Sequence, residues 1–597
     1  MKTDLPRWDM SVVYPGLDSP EFERDLRSFV RALDELEGLF DEAQIDRTET
    51  PLNPDLAAGI LERILPPYNA LNDQAWTLGA YVYAFVSVDS RDEYAQARLS
   101  ELERHTVRLT KLHTRLTAWA GSQEVDALLE RSEQARQHAY WLQRARVIAE
   151  HMMSPAEEAL AAEMRLTGSS AWNKLYSNLT SQIQATVEIR GERQTLTMSM
   201  LRNLATDADR EVRRAAYEAE LQAWEQHAMP IASALNAIKG ETNLLTRKRG
   251  WDSPLHASLF QNAIDEATLD AMLEAAYESF PDFRRYLHAK ARLLGIERCA
   301  WYDLFAPVGK ETRTWSYDEA AQFIIEQFAT YSQKLSDFAR RAFEERWIDA
   351  PPQPGKHDGA YCMRLRRDES RILTNYKPVF NGMGTLAHEL GHAYHNLCLA
   401  ERTYLQRMTP ATLAETASIF CNTIIDQAAL RDADRDEQIA ILEASLQGVC
   451  QVVVDITSRY LFEKEVFERR AERELSAREL CEIMRDAQRQ TYGDGLDENA
   501  LHPYMWAAKP HYYGGLFYNY PYMFGLLFGL GLYARYLDDP GGFRARYDDL
   551  LSRTGMADAP TLAAEFGFDL RTPAFWRGAF DTVRQNIDRL EALAKGE

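Results

Sequence analysis

Two histidines four residues apart, with a glutamate directly after the first, place the strongest constraint on this chain. They lie in Thr385-Leu386-Ala387-His388-Glu389-Leu390-Gly391-His392. On an α-helix, residues four apart share one face, one turn above the other. His388 and His392 can then aim two imidazole nitrogens at one ion, as in a zinc site of His-Glu-x-x-His type. Glu389 stands beside the first ligand, where a carboxylate can take a proton from water activated by the ion. With 13 histidines in 597 residues, a chance match is expected about two times in a hundred. The flanks favour a helix: Leu386 and Ala387 are apolar, Gly391 is small and no proline interrupts.

A catalytic zinc takes three protein ligands and keeps one position open. His395 lies seven residues past His388. Along a helix that is about 10.5 Å, too far for both to reach one ion at about 2.1 Å. It reads as a residue behind the site or at the surface. Glu401 falls where the helix has ended. Glu415 is better placed, within a helix entered at Thr409-Pro410 and amid Leu413-Ala414-Glu415-Thr416-Ala417-Ser418. A lone glutamate among small apolar residues needs a partner for its charge, which a metal or solvent can supply.

A chain of this length exceeds one compact core, so two or more packed lobes are expected. We divide it into an N-terminal helical region, 1–200, and a catalytic region, 201–597. The net charge of −22 argues against a nucleic-acid partner or an anionic membrane surface, since both would repel it. Six cysteines at 299, 362, 398, 421, 450 and 481 form no Cys-x-x-Cys pair and read as free thiols in a reducing compartment. The opening MKTDLPRWDM has no apolar core of signal-peptide type. The most apolar stretch, 522–533, is too short to span a bilayer. The expectation is a soluble, cytoplasmic protein.

Most of the chain carries helical periodicity. Ser19-Pro20 is a helix entry, followed by Phe22, Leu26, Phe29, Val30 and Leu33 at three- and four-residue spacing. Similar patterns fill about 56–88, 91–120 and 123–150, and much of the chain beyond. Residues 183–190 and 193–199 flank Gly191 and predict a β-hairpin. After the break Pro351-Pro352-Gln353-Pro354-Gly355, residues 359–365 and 371–376 predict two short strands leading into the metal helix. A strand edge there could accept an extended peptide as one more strand, or could simply brace the helix.

Near the C-terminal end, His511, Tyr512, Tyr513, Tyr518, Tyr520 and Tyr522 crowd together around Gly514 and Gly515. Such a run suits an aromatic core helix. Its Tyr and His side chains are also neutral hydrogen-bond donors.

Taken together, the motif His388-Glu389-Leu390-Gly391-His392 and the downstream Ala414-Glu415-Thr416-Ala417-Ser418 resemble the oligoendopeptidase F family, relatives of thimet oligopeptidase. WDMSVVYPGLDSPEF, SPAEEALAAEMRLTGSSAWNKL, GKHDGAYC, ILTNY and KPHYYGGLFYNYPY extend the resemblance over nearly the full chain. It implies a mainly α, two-lobed helical clamshell with a deep channel and a small β-sheet beside the zinc helix. It implies one zinc on His388, His392 and Glu415, Glu389 as the base, and His511, Tyr518 and Tyr520 as substrate and transition-state residues. The expected activity is cleavage of internal bonds in oligopeptides. The family's outer glutamate, seven residues past the zinc-binding one, is Asn422 here, which leaves an imidazole without a charged partner. A carboxypeptidase releasing C-terminal dipeptides and a non-catalytic peptide-binding scaffold are the competing readings. Nothing in the sequence sets an oligomeric state.

Overall fold

The computed structural model describes residues 5–309 and 313–596. The chain forms two compact units, each drawn from three separate stretches. The first comprises Met1–Met152, Arg313–Ala428 and Arg535–Phe566; the second comprises Met153–Thr312, Ala429–Ala534 and Gly567–Glu597. Both are mainly α-helical, as the periodicity predicts.

In the first unit, helix Pro20–Glu42 starts where expected. The Ser19 hydroxyl accepts from the Phe22 N–H, and Pro20 takes the first turn, where its missing N–H costs nothing. Phe22, Leu26, Phe29, Leu33, Leu36 and Phe40 form its buried stripe. They pack with helices Pro54–Val88 and Glu93–Gly121 into one apolar core.

The second unit carries the first predicted hairpin. Strands β1 (Gln184–Ile189) and β2 (Glu192–Thr197) pair antiparallel. Their two-residue turn holds Arg190 at φ 51° and Gly191 at φ 82°, the pair of positive angles that suits the twist of a tight hairpin. Long helices Arg210–Lys248, Glu266–Leu294 and Ile456–Arg470 dominate the rest.

The first unit also holds a three-stranded sheet: β3 (Ile348–Asp349), β4 (Tyr361–Arg366) and β5 (Glu369–Leu373), in the order β3-β5-β4. The β4–β5 hairpin was expected. The two-residue β3, parallel to β5, is too short to leave a periodic signal. β4 is an edge strand among the described residues.

Several helical stretches are interrupted. The predicted helix over 123–150 forms three, Val125–Arg131, Glu133–Gln137 and Ala139–Glu150, with Ser132 extended between the first two. The stretch 316–346 forms two, Tyr317–Tyr331 and Gln333–Glu344. Ser332 lies extended between them, and its hydroxyl accepts from the Leu335 N–H to cap the second. The stretch after Pro410 forms a short helix, Ala411–Ala414, and restarts as Thr416–Asp432, so Glu415 sits at the break and not inside a continuous helix.

One helix, Arg435–Arg470, is long and apolar enough to cross a membrane by length and composition. The second unit instead uses it as core. Its Glu443 pairs with Lys290 at 2.5 Å and its Glu463 with Lys239 at 2.6 Å, all four side chains buried.

Candidate active site

Helix Phe380–Cys398 carries the motif. Its far end is tied down on several sides within the first unit. Tyr394 donates to Asp548 at 2.7 Å. Asn396 donates to the Ser370 hydroxyl of β5 at 3.1 Å. The buried His395 meets the Thr554 hydroxyl at 2.8 Å. That contact settles His395 as a buried anchor, and burial holds its pKa down to about 4. It takes no part in the cluster of potential metal ligands.

Gly391 decides how close the next helix comes. A Cβ there would lie 2.6 Å from the Ser418 Cα and 2.7 Å from the Ala417 carbonyl oxygen, so any larger residue would force the two backbones apart. This close crossing brings the break at Glu415 onto the two histidines. The Glu415 Oε2 lies 3.3 Å from His388 Nε2 and 3.4 Å from His392 Nε2. Ser418 donates to the same oxygen at 2.6 Å.

The three donor atoms all lie within 4.8 Å of one another. Four bonds of about 2.1 Å at tetrahedral angles would set neighbouring donors about 3.4 Å apart. Both carboxylate–imidazole spacings match that edge, so the residues fit a zinc ion. Their side chains remain 29%, 23% and 29% exposed for His388, His392 and Glu415, leaving the site open to solvent.

The electrostatics show how the residues depend on each other. Burial alone would raise the Glu415 carboxyl, but hydrogen bonds and charge from His388 and His392 hold it well below the usual carboxylate range. Burial pushes His392 down, and Glu415 outweighs it, so His392 is raised. Glu389, by contrast, is buried and its Oε2 has no hydrogen-bond partner. Burial raises its pKa above the ordinary value, the two imidazoles oppose this and Glu415 adds to it. A carboxylate so placed is more basic than one in water, which suits proton abstraction.

β4 runs beside this base. Burial pushes the Cys362 thiol well up, and the Glu389 charge adds to the effect. On the same strand, the Arg364 carbonyl accepts from Trp76 Nε1 at 2.7 Å. Asn422 turns its amide to Asp426 at 3.2 Å, and its carbonyl oxygen lies against Gly384.

His511 and Tyr518 belong to the second unit. Their rings stack, with centroids 3.8 Å apart and planes 8° from parallel. Burial, Arg459 and Lys509 hold His511 down to about 4, so it is neutral at pH 7. Burial lifts Tyr518 to about 12, with Arg459 opposing. Both are therefore uncharged hydrogen-bond donors. The loop before Tyr518 is strained: Phe517 has φ 44°, a left-handed angle that costs a bulky residue about 1–2 kcal/mol. The buried Glu463 holds it, accepting from the Phe517 N–H at 3.3 Å and from Asn519 at 2.9 Å. Tyr520 is fully buried. Its hydroxyl lies 3.0 Å from the Ser258 hydroxyl and accepts from Asn262 at 3.2 Å.

Sequence reasoning missed Arg459, which donates to the Tyr518 hydroxyl at 3.3 Å. The signal was present: Asp455 and Arg459 stand four apart in the apolar run VVVDITSRY, where charges survive burial only as partners.

The sequence model of peptidase family M3 matches residues 203–582, and that of oligopeptidase F matches 120–184. The chain belongs to peptidase family M3. It is a metalloendopeptidase of that family. Among its M3 relatives, the group B oligopeptidase PepB of Streptococcus agalactiae is 24% identical, covering 99% of this chain and 97% of that protein. An oligoendopeptidase F homolog of Lactococcus lactis is 26% identical, covering 74% of this chain and 75% of that protein. The fold recurs in solved structures. One from Chlamydophila abortus superposes with a TM-score of 0.84 at 20% identity over 98% of both chains. The oligoendopeptidase-F of Enterococcus faecium gives 0.70 at 19% identity, covering 97% of this chain and 99% of that one.

Proposed function

We propose that this chain is a zinc-dependent oligopeptidase that hydrolyses internal bonds of short, flexible peptides. The observation that carries the reading is the trio of donor atoms from His388, His392 and Glu415, gathered within 4.8 Å with both carboxylate–imidazole spacings those of a tetrahedral site. These three residues would hold one zinc. When bound, zinc polarises a peptide carbonyl and lowers the pKa of water. Glu389, buried beside the ligands with an unpaired oxygen, takes a proton from the attacking water. It then delivers that proton to the leaving amine. The β4 edge offers backbone groups to an extended substrate, which would add as a further strand.

His511 and Tyr518 donate hydrogen bonds to the tetrahedral oxyanion. Their neutrality matters, because each must bring a proton without adding a fixed charge. Tyr520 serves from behind, holding the start of helix Asn519–Asp538 through Ser258 and Asn262. All six cysteines are free, which supports a reducing, cytoplasmic setting. Residues 201–597 are the catalytic region in this reading.

Glu389→Gln provides the test. The variant keeps the ligand set, so its metal content should match wild type by elemental analysis. Turnover of a quenched fluorescent peptide should fall by roughly 10²–10⁴-fold, the range for a positioned acid–base group. Comparable turnover in this variant would remove Glu389 from its role.

A further inference from the structure

Within the second unit lies a cavity of about 80 Å³. Its wall includes Arg202, Arg459, Lys509 and Asp455, with aromatic surface from Trp301 and Tyr492. Part of the wall is a π-helical turn, Gln451–Asp455, inserted between helices Arg435–Cys450 and Ile456–Arg470. Such turns weaken a helix and are retained mostly at functional sites.

The charges do not balance. Arg459 contacts Asp455 and donates to Tyr518, yet its Nε is buried without a partner. Arg202 pairs with Glu220 at 3.2 Å. Lys509 has no hydrogen bond or ion pair among the described residues. Burial, Arg459 and Arg202 hold its pKa down to about 7. Two carboxylates thus face three cations, and the unpartnered one is a half-buried ammonium in a cavity wall. An anion placed there would meet Lys509 and the free side of Arg459, and charge-assisted hydrogen bonds of this kind are the strong ones.

We propose that this pocket binds a carboxylate of the peptide substrate. The occupant is a peptide and not a free anion because Arg459 joins the pocket to Tyr518, whose ring stacks on His511. The cavity is small and takes the carboxylate group alone, with Trp301 and Tyr492 in its wall. The carboxylate comes from the peptide C-terminus or from an Asp or Glu side chain; both present the same chemistry. The proposal rests on the peptidase reading above and adds a substrate class to it.

Two peptide pairs test it with zinc-loaded enzyme. One pair differs only as C-terminal acid or amide. The other is amidated and carries Glu or Gln at one position. At least one carboxylate member should show kcat/KM about tenfold above its neutral twin. In Lys509→Met, and separately in Lys509→Gln, that ratio should fall to about one. The pair that responds identifies the source of the carboxylate. Equal rates within both pairs in wild type, or a ratio unchanged by both Lys509 variants, would overturn the proposal. Calorimetric binding of the same peptides to zinc-loaded Glu389→Gln separates the two readings. Carboxylate-dependent binding with no hydrolysis of any peptide by wild type would sink the peptidase reading and keep the pocket. Hydrolysis without carboxylate preference would sink the pocket alone.

Discussion

The two groups of chemical residues are built on opposite principles. In the first unit, His388, Glu389 and His392 share one regular helix, and their spacing follows from its pitch. In the second, His511 and Tyr518 are joined by a loop with a left-handed Phe517 and held by a buried carboxylate. The metal half derives its precision from regular structure and one close helix crossing. The His–Tyr half derives it from strain that the surrounding core over-determines. The first kind of site can be read from a motif; the second cannot.

The contrast can be broken by substitution, with the largest effect expected at the metal. Glu415→Ala leaves two imidazoles on one helix and removes the third donor. Bound zinc should be lost at ordinary concentrations and activity with it, measured by elemental analysis beside turnover. Full metal occupancy and activity would mean that Glu415 is not a ligand. Tyr518→Phe keeps the ring stack on His511 and deletes only the hydroxyl. Turnover should fall about 10²-fold or more with KM little changed, the effect of losing one oxyanion donor. A change confined to KM would make Tyr518 a binding residue only.

Gly391→Ala probes the crossing itself. The added methyl must displace the Ala417–Ser418 backbone, costing about 1–3 kcal/mol of stability and loosening the Glu415 contact. Denaturant unfolding together with zinc affinity would check it; a change in neither would show that the helices can separate freely. The smallest effect is expected for Tyr522→Phe. Tyr522 is half exposed, and its ring lies edge-on to Tyr518 at 5.9 Å. Rate and stability should stay within about 0.5 kcal/mol, or roughly twofold. A large loss of rate would move the donor role from Tyr518 to Tyr522.

The legibility of the sequence follows the same division. Helices with long apolar stripes, such as Pro20–Glu42, were visible because burial repeats with the helical period. Both hairpins were visible through their turn residues. The candidate ligands that the fold brings together, His388, His392 and Glu415, were visible because a metal demands particular donors at particular spacings. The break at Glu415 was not, because Thr409-Pro410 signals a helix entry and nothing in Leu413-Ala414-Glu415-Thr416 signals a stop. It arises from the tertiary approach that Gly391 permits. The engagement of Tyr520 with Ser258 and Asn262 was equally hidden, since it joins residues more than 250 apart in sequence. Arg459 shows in the sequence as a partner for Asp455, but nothing there places it beside the Tyr518 hydroxyl.

The way the first unit is assembled also bears on how its candidate metal site forms. The ligand-bearing helices lean on a late segment. Tyr394 reaches Asp548, His395 reaches Thr554, and Tyr547 donates to the Thr416 carbonyl. Synthesis runs from the N-terminus, so a nascent chain displays all three candidate metal ligands well before the props at 547–554 emerge. Until then the helices that carry the imidazoles and the carboxylate go without those three braces.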